Sequence, residues 1–207
     1  YFHGVTPAHL LEEFEPITAE LCRKSVEQFP LLDKFNKVIA NSVFIANDLK
    51  KYIKKDIEVL PPVFPSRFLF NKKIETVQKN KDFLVVGRVV PHKKVENTIK
   101  LFIKRKESIP EANLIIIGSM PNHVYNEFLK EEVNKYKLTD CIEFKGIISD
   151  EDLQKYYLNS YGFLNASLHE GFSIPTLEAL YYNLIVLIEE GHAAEELLNS
   201  DMKAINF

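Results

Sequence analysis

The hydrophobic pattern changes character about a third of the way along the chain. From Asp82 onward, short apolar runs alternate with segments whose apolar residues recur every three or four positions. Phe83-Leu84-Val85-Val86-Gly87, Asn113-Leu114-Ile115-Ile116-Ile117-Gly118, Cys141–Lys145, Tyr161–Asn165 and Leu184–Ile188 have the length and the apolar content of buried strands. Between them, Ile99, Phe102 and Ile103 mark one helix, and Tyr125, Phe128, Leu129, Val133 and Tyr136 mark a second. Ser149-Asp150-Glu151-Asp152 opens a third with acids at its positive end, and Pro175 opens a fourth at its first position. Apolar strands separated by helices imply a parallel sheet covered on both faces, a doubly wound α/β fold. Ligands of such sheets bind at the carboxyl ends of the strands. Gly87-Arg88, Gly118-Ser119 and Glu170-Gly171 all fall there.

The first part reads differently. Ala19–Phe29 is helical, Lys37–Ala40 is a short strand leading to Asn41-Ser42, Phe44–Ile53 is a helix, and Ile57–Leu60 is a strand stopped by Pro61-Pro62. A charged connection over Asn71–Lys81 follows, and the boundary is expected between Pro65 and Asp82. This gives a partial α/β domain over residues 1–66 and a larger one over residues 67–207. The chain opens on Tyr1 rather than Met. We expect a fragment, with the larger domain truncated at its C-terminus.

Composition narrows the chemistry. A 46% hydrophobic content with 12% aromatic residues supplies a core and excludes disorder. The net charge of -3, with both signs interspersed, gives no support for a nucleic-acid partner. Cys22 and Cys141 are distant and form no CxxC pair, which suits reduced thiols in a cytoplasmic protein. The six histidines lack metal-ligand spacing, so no metal is expected. The longest apolar runs are strand length, short of a membrane span. Asn165-Ala166-Ser167 spells a glycosylation sequon at a strand end and reads as chance. GxxxxGK[ST], GxGxxG, HExxH and GxSxG are all absent.

The chemistry-bearing residues gather at the strand ends. Glu170 and Glu178 bracket Gly171-Phe172-Ser173-Ile174-Pro175-Thr176-Leu177. Ser173 is placed to cap the following helix, and Glu178 falls in its first turn. The amides after Gly171 then form an anion site flanked by carboxylates that can bind hydroxyls. Upstream, Gly87 lets backbone approach a ligand, while Arg88, Lys93 and Lys94 supply positive charge. Taken singly, each has a plainer reading: Glu178 complements a helix dipole, Glu170 is a loop acid, and the lysine pair is solvated.

Together these residues resemble the donor-binding domain of a family 4 retaining glycosyltransferase, of the Rossmann-like GT-B fold. Val86-Gly87-Arg88 with Lys93 is similar to the family's glycine-arginine and lysine, and Glu170 through Glu178-Ala179-Leu180 to its E-x7-E element. Phe144-Lys145-Gly146-Ile147 with Asp152-Leu153 and Tyr156-Tyr157 resembles the segment meeting the nucleobase. His3-Gly4-Val5-Thr6-Pro7 resembles the late histidine segment of the acceptor-side domain. Val38–Ser42 and Val59–Pro62 resemble the approach to the interdomain crossing.

The resemblance implies hexosyl transfer from a nucleotide-diphosphate sugar with retention of configuration, in polysaccharide or glycoconjugate biosynthesis. Arg88 and Lys93 would neutralise the diphosphate. Gly87, Gly118, Ile147 and the Gly171, Phe172, Ser173 and Ile174 backbone would bind the donor. Glu178 would hold the ribose, Glu170 the transferred sugar, and His3 would lie on the acceptor side. No metal and no cofactor are implied beyond the donor itself. The acceptor would be a glycan, lipid or small molecule, with peripheral membrane association of the parent protein left open. The fragment alone is expected to bind donor weakly and not to turn over.

Four departures stand out. Lys94 and Ser173 occupy positions where glycine is frequent, Asn183-Leu184-Ile185 replaces a Gly-x-Pro, and His192-Ala193-Ala194 replaces a glycine pair. They motivate a second reading, a non-catalytic glycosyltransferase-like scaffold. A third is a sugar-nucleotide epimerase, which can share the architecture.

Overall fold

The apolar runs become strands and the periodic segments become helices in the computed structural model, which describes residues 1–63 and 79–198. The expected charged connection and most of the expected domain boundary lie outside those residues. In the front part, α1 (Pro16–Glu27) and a 3-10 stretch (Phe29–Lys34) precede β1 (Val38–Ala40), α2 (Val43–Leu49) and β2 (Ile57–Val59). Strands β1 and β2 pair in parallel, and Phe2 bridges to Ala40. Pro16 starts α1 three residues before the expected Ala19, because a proline at the first turn sacrifices no hydrogen bond. Phe29 falls in the 3-10 stretch, and α2 stops at Leu49 instead of reaching Ile53.

The larger part holds β3 (Phe83–Val86), α3 (Val95–Ser108), β4 (Leu114–Ile117), α4 (His123–Lys135), β5 (Ile142–Gly146), α5 (Asp150–Asn159), β6 (Gly162–Asn165), α6 (Ile174–Tyr181) and β7 (Ile185–Ile188). All five strands are parallel, in the order β5-β4-β3-β6-β7. The doubly wound expectation is borne out. Strand alternation sorts each apolar run between two cores. Phe83, Leu114, Ile116 and Leu164 face α3 and α4, packing with Ile99, Phe102, Tyr125 and Leu129. Leu84, Ile115, Ile117 and Phe163 face α5 and α6, packing with Leu153, Tyr157 and Ala179. Each fully buried Leu, Ile or Phe contributes roughly 1.5–3 kcal/mol over its exposed state, so both layers are fixed on the sheet.

Strand order reverses on either side of β3, whose neighbours are β4 and β6. The crevice of such a fold opens at the carboxyl ends of the strands flanking that point. Gly118, just past β4, is needed there: a Cβ on it would lie 1.9 Å from the Gly87 carbonyl oxygen. The front part packs beside this edge. Asn122 Nδ2 donates to Phe14 O at 3.2 Å and to Glu15 Oε1 at 3.1 Å. The Phe14 ring meets Tyr125 and Phe128 of α4. Among the described residues, no helix is long and apolar enough to cross a membrane.

Candidate functional site

Two loops form the crevice. The first leaves β3 through Gly87 and the exposed Arg88, is pinned by buried Val89, Val90 and Pro91, and turns through the 3-10 segment Pro91–Lys93. The second leaves β6 at Asn165 and reaches α6 through Glu170 and Gly171. They are stitched together by Leu168 N–H donating to His92 O at 3.1 Å. Lys93 Nζ lies 2.6 Å from Glu170 Oε2. Gly87, Arg88, Lys93, Asn165, Ser167 and Glu170 line a shared cavity of about 20 Å³, enough for about one water. The crevice narrows to this space beside the ion pair.

Electrostatics follow from burial of the groups around it. Glu170 is 8% exposed. Burial pushes its carboxyl up, but the charge and hydrogen bond of Lys93 more than offset this, and the net position is below the ordinary value. Three histidines surround the pair. Burial lowers His92 to about 4, with the Lys93 charge assisting, and also lowers His169 and His192. All three rings are thus held neutral at pH 7. His192 Nδ1 accepts the Ala194 N–H at 3.2 Å, and Glu195 completes a capping box around the turn Ala193–Leu197. Among the described residues, no group of three His, Cys, Asp or Glu side chains is placed to hold a metal ion.

The β6–α6 segment departs from expectation in detail. Ser173 occupies the N-cap position of α6, but its hydroxyl does not cap the helix. It bonds the Thr176 hydroxyl at 2.9 Å, and Asn165 Nδ2 donates to both at 3.3 and 3.4 Å. The reason is its left-handed backbone, φ 72, which turns the side chain from the helix amides. Pro175 is the second residue of α6, not the first, so Glu178 lies in the second turn rather than the first. Glu178 is 1% exposed and accepts the Tyr157 hydroxyl at 2.9 Å. Tyr157 in turn stacks on Tyr182, with centroids 5.5 Å apart.

Of the residues picked from sequence, Gly87, Arg88, Lys93 and Glu170 meet in one place. Gly171, Phe172, Ser173 and Ile174 form the adjoining loop, and Gly118 lies at the end of the neighbouring strand β4. Ile147 does not join them. It is 81% exposed beyond edge strand β5, two strands from β3. His3 enters through its backbone, its carbonyl oxygen pressed on Gly171, while its exposed ring packs on Tyr1. Sequence reasoning missed Asn165, which binds three partners at the end of β6. It also missed His92, His169 and His192. Adjacency to Lys93 and Glu170 was the available signal for the first two.

Three of the four departures at glycine positions have a common form, and His192, with extended backbone at φ -147, does not share it. Lys94 (φ 47), Ser173 (φ 72) and Asn183 (φ 55) all keep left-handed backbone. The side chains changed and the conformation that glycine serves did not.

The sequence model for "Glycosyl transferases group 1" matches residues 66–204. The chain belongs to this family. As a group 1 glycosyltransferase it is 27% identical over 172 residues to the O-antigen chain mannosyltransferase RfbU of Salmonella typhimurium, covering 82% of this chain and 46% of that protein. It is 28% identical over 141 residues to the mannosylfructose-phosphate synthase of Agrobacterium fabrum, covering 61% of this chain and 31% of the relative. The chain thus spans less than half of the length of these relatives. Among solved structures, Anabaena Alr3699/HepE in complex with UDP and glucose superposes with a TM-score of 0.72 at 17% identity, covering all of this chain and 56% of that one. WaaG, a glycosyltransferase involved in lipopolysaccharide biosynthesis, superposes with a TM-score of 0.64 at 18% identity over 78% of this chain and 46% of its own. The fold is the Rossmann-like α/β architecture of GT-B glycosyltransferases that the resemblance implied.

Proposed function

We propose that this chain is the donor-binding portion of a glycosyltransferase that moves a hexose from a nucleotide-diphosphate sugar to an acceptor with retention of anomeric configuration. One observation carries the reading: a lysine and a carboxylate are paired at 2.6 Å at the topological switch point, in a cavity that Arg88 also lines. Phosphate and hydroxyl recognition are thus adjacent. Arg88 and Lys93 neutralise the charge that develops on the departing diphosphate, the role a metal plays elsewhere. Glu170, released from Lys93 as the phosphate takes its place, accepts hydroxyls of the transferred sugar. Backbone of Gly171 to Ile174 at the start of α6 approaches the donor. Glu178 holds the ribose diol once Tyr157 yields its place. No protein nucleophile is invoked; the acceptor hydroxyl attacks from the face the leaving group vacates.

The retained left-handed backbone at Lys94, Ser173 and Asn183 favours a working donor loop over a degenerate scaffold. The test is product stereochemistry in the whole protein. With a nucleotide α-sugar and acceptor, proton NMR of the anomeric position is expected to show an α-linked product. A β-linked product would overturn retention, and free epimerised donor formed without acceptor would favour the epimerase reading.

A further inference from the structure

The front part is fastened to the crevice by a carboxylate far from it in sequence. Glu196 lies on the turn Ala193–Leu197 after β7, and α2 lies 152 residues earlier. Glu196 Oε2 accepts the Val43 N–H at 3.0 Å, and Oε1 accepts the Phe44 N–H at 2.6 Å. These are the first two residues of α2, and the third amide, of Ile45, is taken by the Ser42 hydroxyl at 3.1 Å. Two charge-assisted bonds at the positive end of a helix make a directional fastening.

What the fastening holds is the loop carrying Glu170. Phe44, one of the two bonded residues, presents its ring to His169 at a centroid distance of 6.2 Å and an angle of 62°. His169 is also approached through Gly4, where a Cβ would lie 2.5 Å from Ile45 Cδ1 and 3.7 Å from His169 Cε1. At Gly171 the contact is closer: a Cβ would lie 2.6 Å from His3 O and 2.9 Å from Asn41 Nδ2. The front part thus meets His169 and Gly171, on either side of Glu170. Those contacts are steric and aromatic, whereas Glu196 is exposed and charged, and it joins the front part to the turn after β7. A surface ion–dipole contact can be made and broken without disturbing a core.

We propose that Glu196 is a positioning residue: its carboxylate clamps the N-terminus of α2 to the turn after β7, setting the front part against the His169–Gly171 loop and so keeping Glu170 at Lys93. The contact stands on geometry alone; its bearing on catalysis rests on the function proposed above.

Amide hydrogen exchange, read by mass spectrometry on the whole protein, separates a clamp from a local helix cap. Glu196→Ala is expected to speed exchange in two stretches, 42–46 and 168–175, with Glu196→Gln intermediate because its amide oxygen is a neutral acceptor. Acceleration confined to 42–46, or none in either stretch, would overturn the proposal. Glu196→Gln alone decides the matter if the alanine variant does not fold. In the transferase assay, Glu196→Ala is expected to lower kcat/KM for the nucleotide sugar roughly tenfold, the scale of one charge-assisted bond, with partial rescue by glutamine. If no nucleotide sugar supports transfer by the unsubstituted protein, the proposed function fails, and the exchange result still decides the clamp.

Discussion

Glu170 and Glu178 share one segment and one residue type, yet they inhabit opposite environments. Glu170 meets a cation at the mouth of a crevice, 2.6 Å from Lys93 Nζ. Glu178 lies under the sheet's other face and meets a phenol, the Tyr157 hydroxyl at 2.9 Å. The first arrangement is a charge pair that a phosphate could displace. The second is a structural hydrogen bond anchoring α6 to α5 until a ligand competes for it. A shared segment therefore does not mean equal readiness: under the proposed function, one carboxylate is poised at the chemistry, and the other must give up a packing role to reach it.

The sharpest way to break that comparison is to remove each carboxylate. Glu170→Ala is expected to lower kcat by roughly 10²–10³-fold, the scale lost with one transition-state partner, and to leave KM less affected. Glu178→Ala is expected to raise KM and to destabilise the fold by about 1–3 kcal/mol, since it takes a buried acceptor away from the Tyr157 hydroxyl. Steady-state kinetics beside thermal melting reads both. Equal kinetic loss without a melting difference would erase the distinction.

Acid should act on the Glu170 side of the comparison. His92 is held from 6.5 down to about 4 by burial and by Lys93. The unfolded chain therefore binds a proton that the folded one refuses, and stability falls as pH drops from 6.5 toward 4, by on the order of 3 kcal/mol from this ring. His169 and His192, also lowered by burial, act in the same direction. Glu170, lowered from 4.5, adds its own loss further down, as pH falls through its folded value. Urea midpoints between pH 7 and 4.5 check this. His92→Asn is expected to flatten the decline, and an unchanged slope would remove His92 from it.

The smallest expected effect concerns the left-handed positions. Lys94→Gly and Asn183→Gly should each stabilise by about 0.5–1 kcal/mol, because they relieve a conformation costly for L-residues. Lys94→Gly also gives up a 3.4 Å ion pair with Glu96, so the Asn183 substitution is the cleaner reading. A loss of stability at both would mean that these side chains contribute more than their backbone costs.

Much of the larger part was legible because its strands are continuous apolar runs whose alternation feeds two cores, Phe83 to one and Leu84 to the other. The parallel sheet, and with it a crevice at the carboxyl ends of its strands, followed from the alternating pattern, whereas the strand order β5-β4-β3-β6-β7 did not. The short helices were less legible: α2 ends at Leu49, and nothing in Lys50-Lys51 signals that end by letter. Residues picked near a strand end, such as Arg88 and Glu170, do meet at one crevice. Partnerships across the fold were not legible. Tyr157 and Glu178 are 21 residues apart, and Glu196 reaches α2 across 152 residues, so no local pattern encodes either. Left-handed backbone at Lys94 and Ser173 was hidden for a different reason: neither residue type signals it.

The central claim is that the crevice between the β3 and β6 loops takes a nucleoside diphosphate sugar through Arg88 and Lys93. Calorimetric titration of UDP, GDP and ADP into the whole protein, unsubstituted and as Arg88→Ala and Lys93→Ala, tests it most directly. One nucleotide is expected to bind, with affinity weakened roughly tenfold or more, at least 1.4 kcal/mol, by each substitution. Binding of none of the three, or binding unchanged by both substitutions, would contradict it.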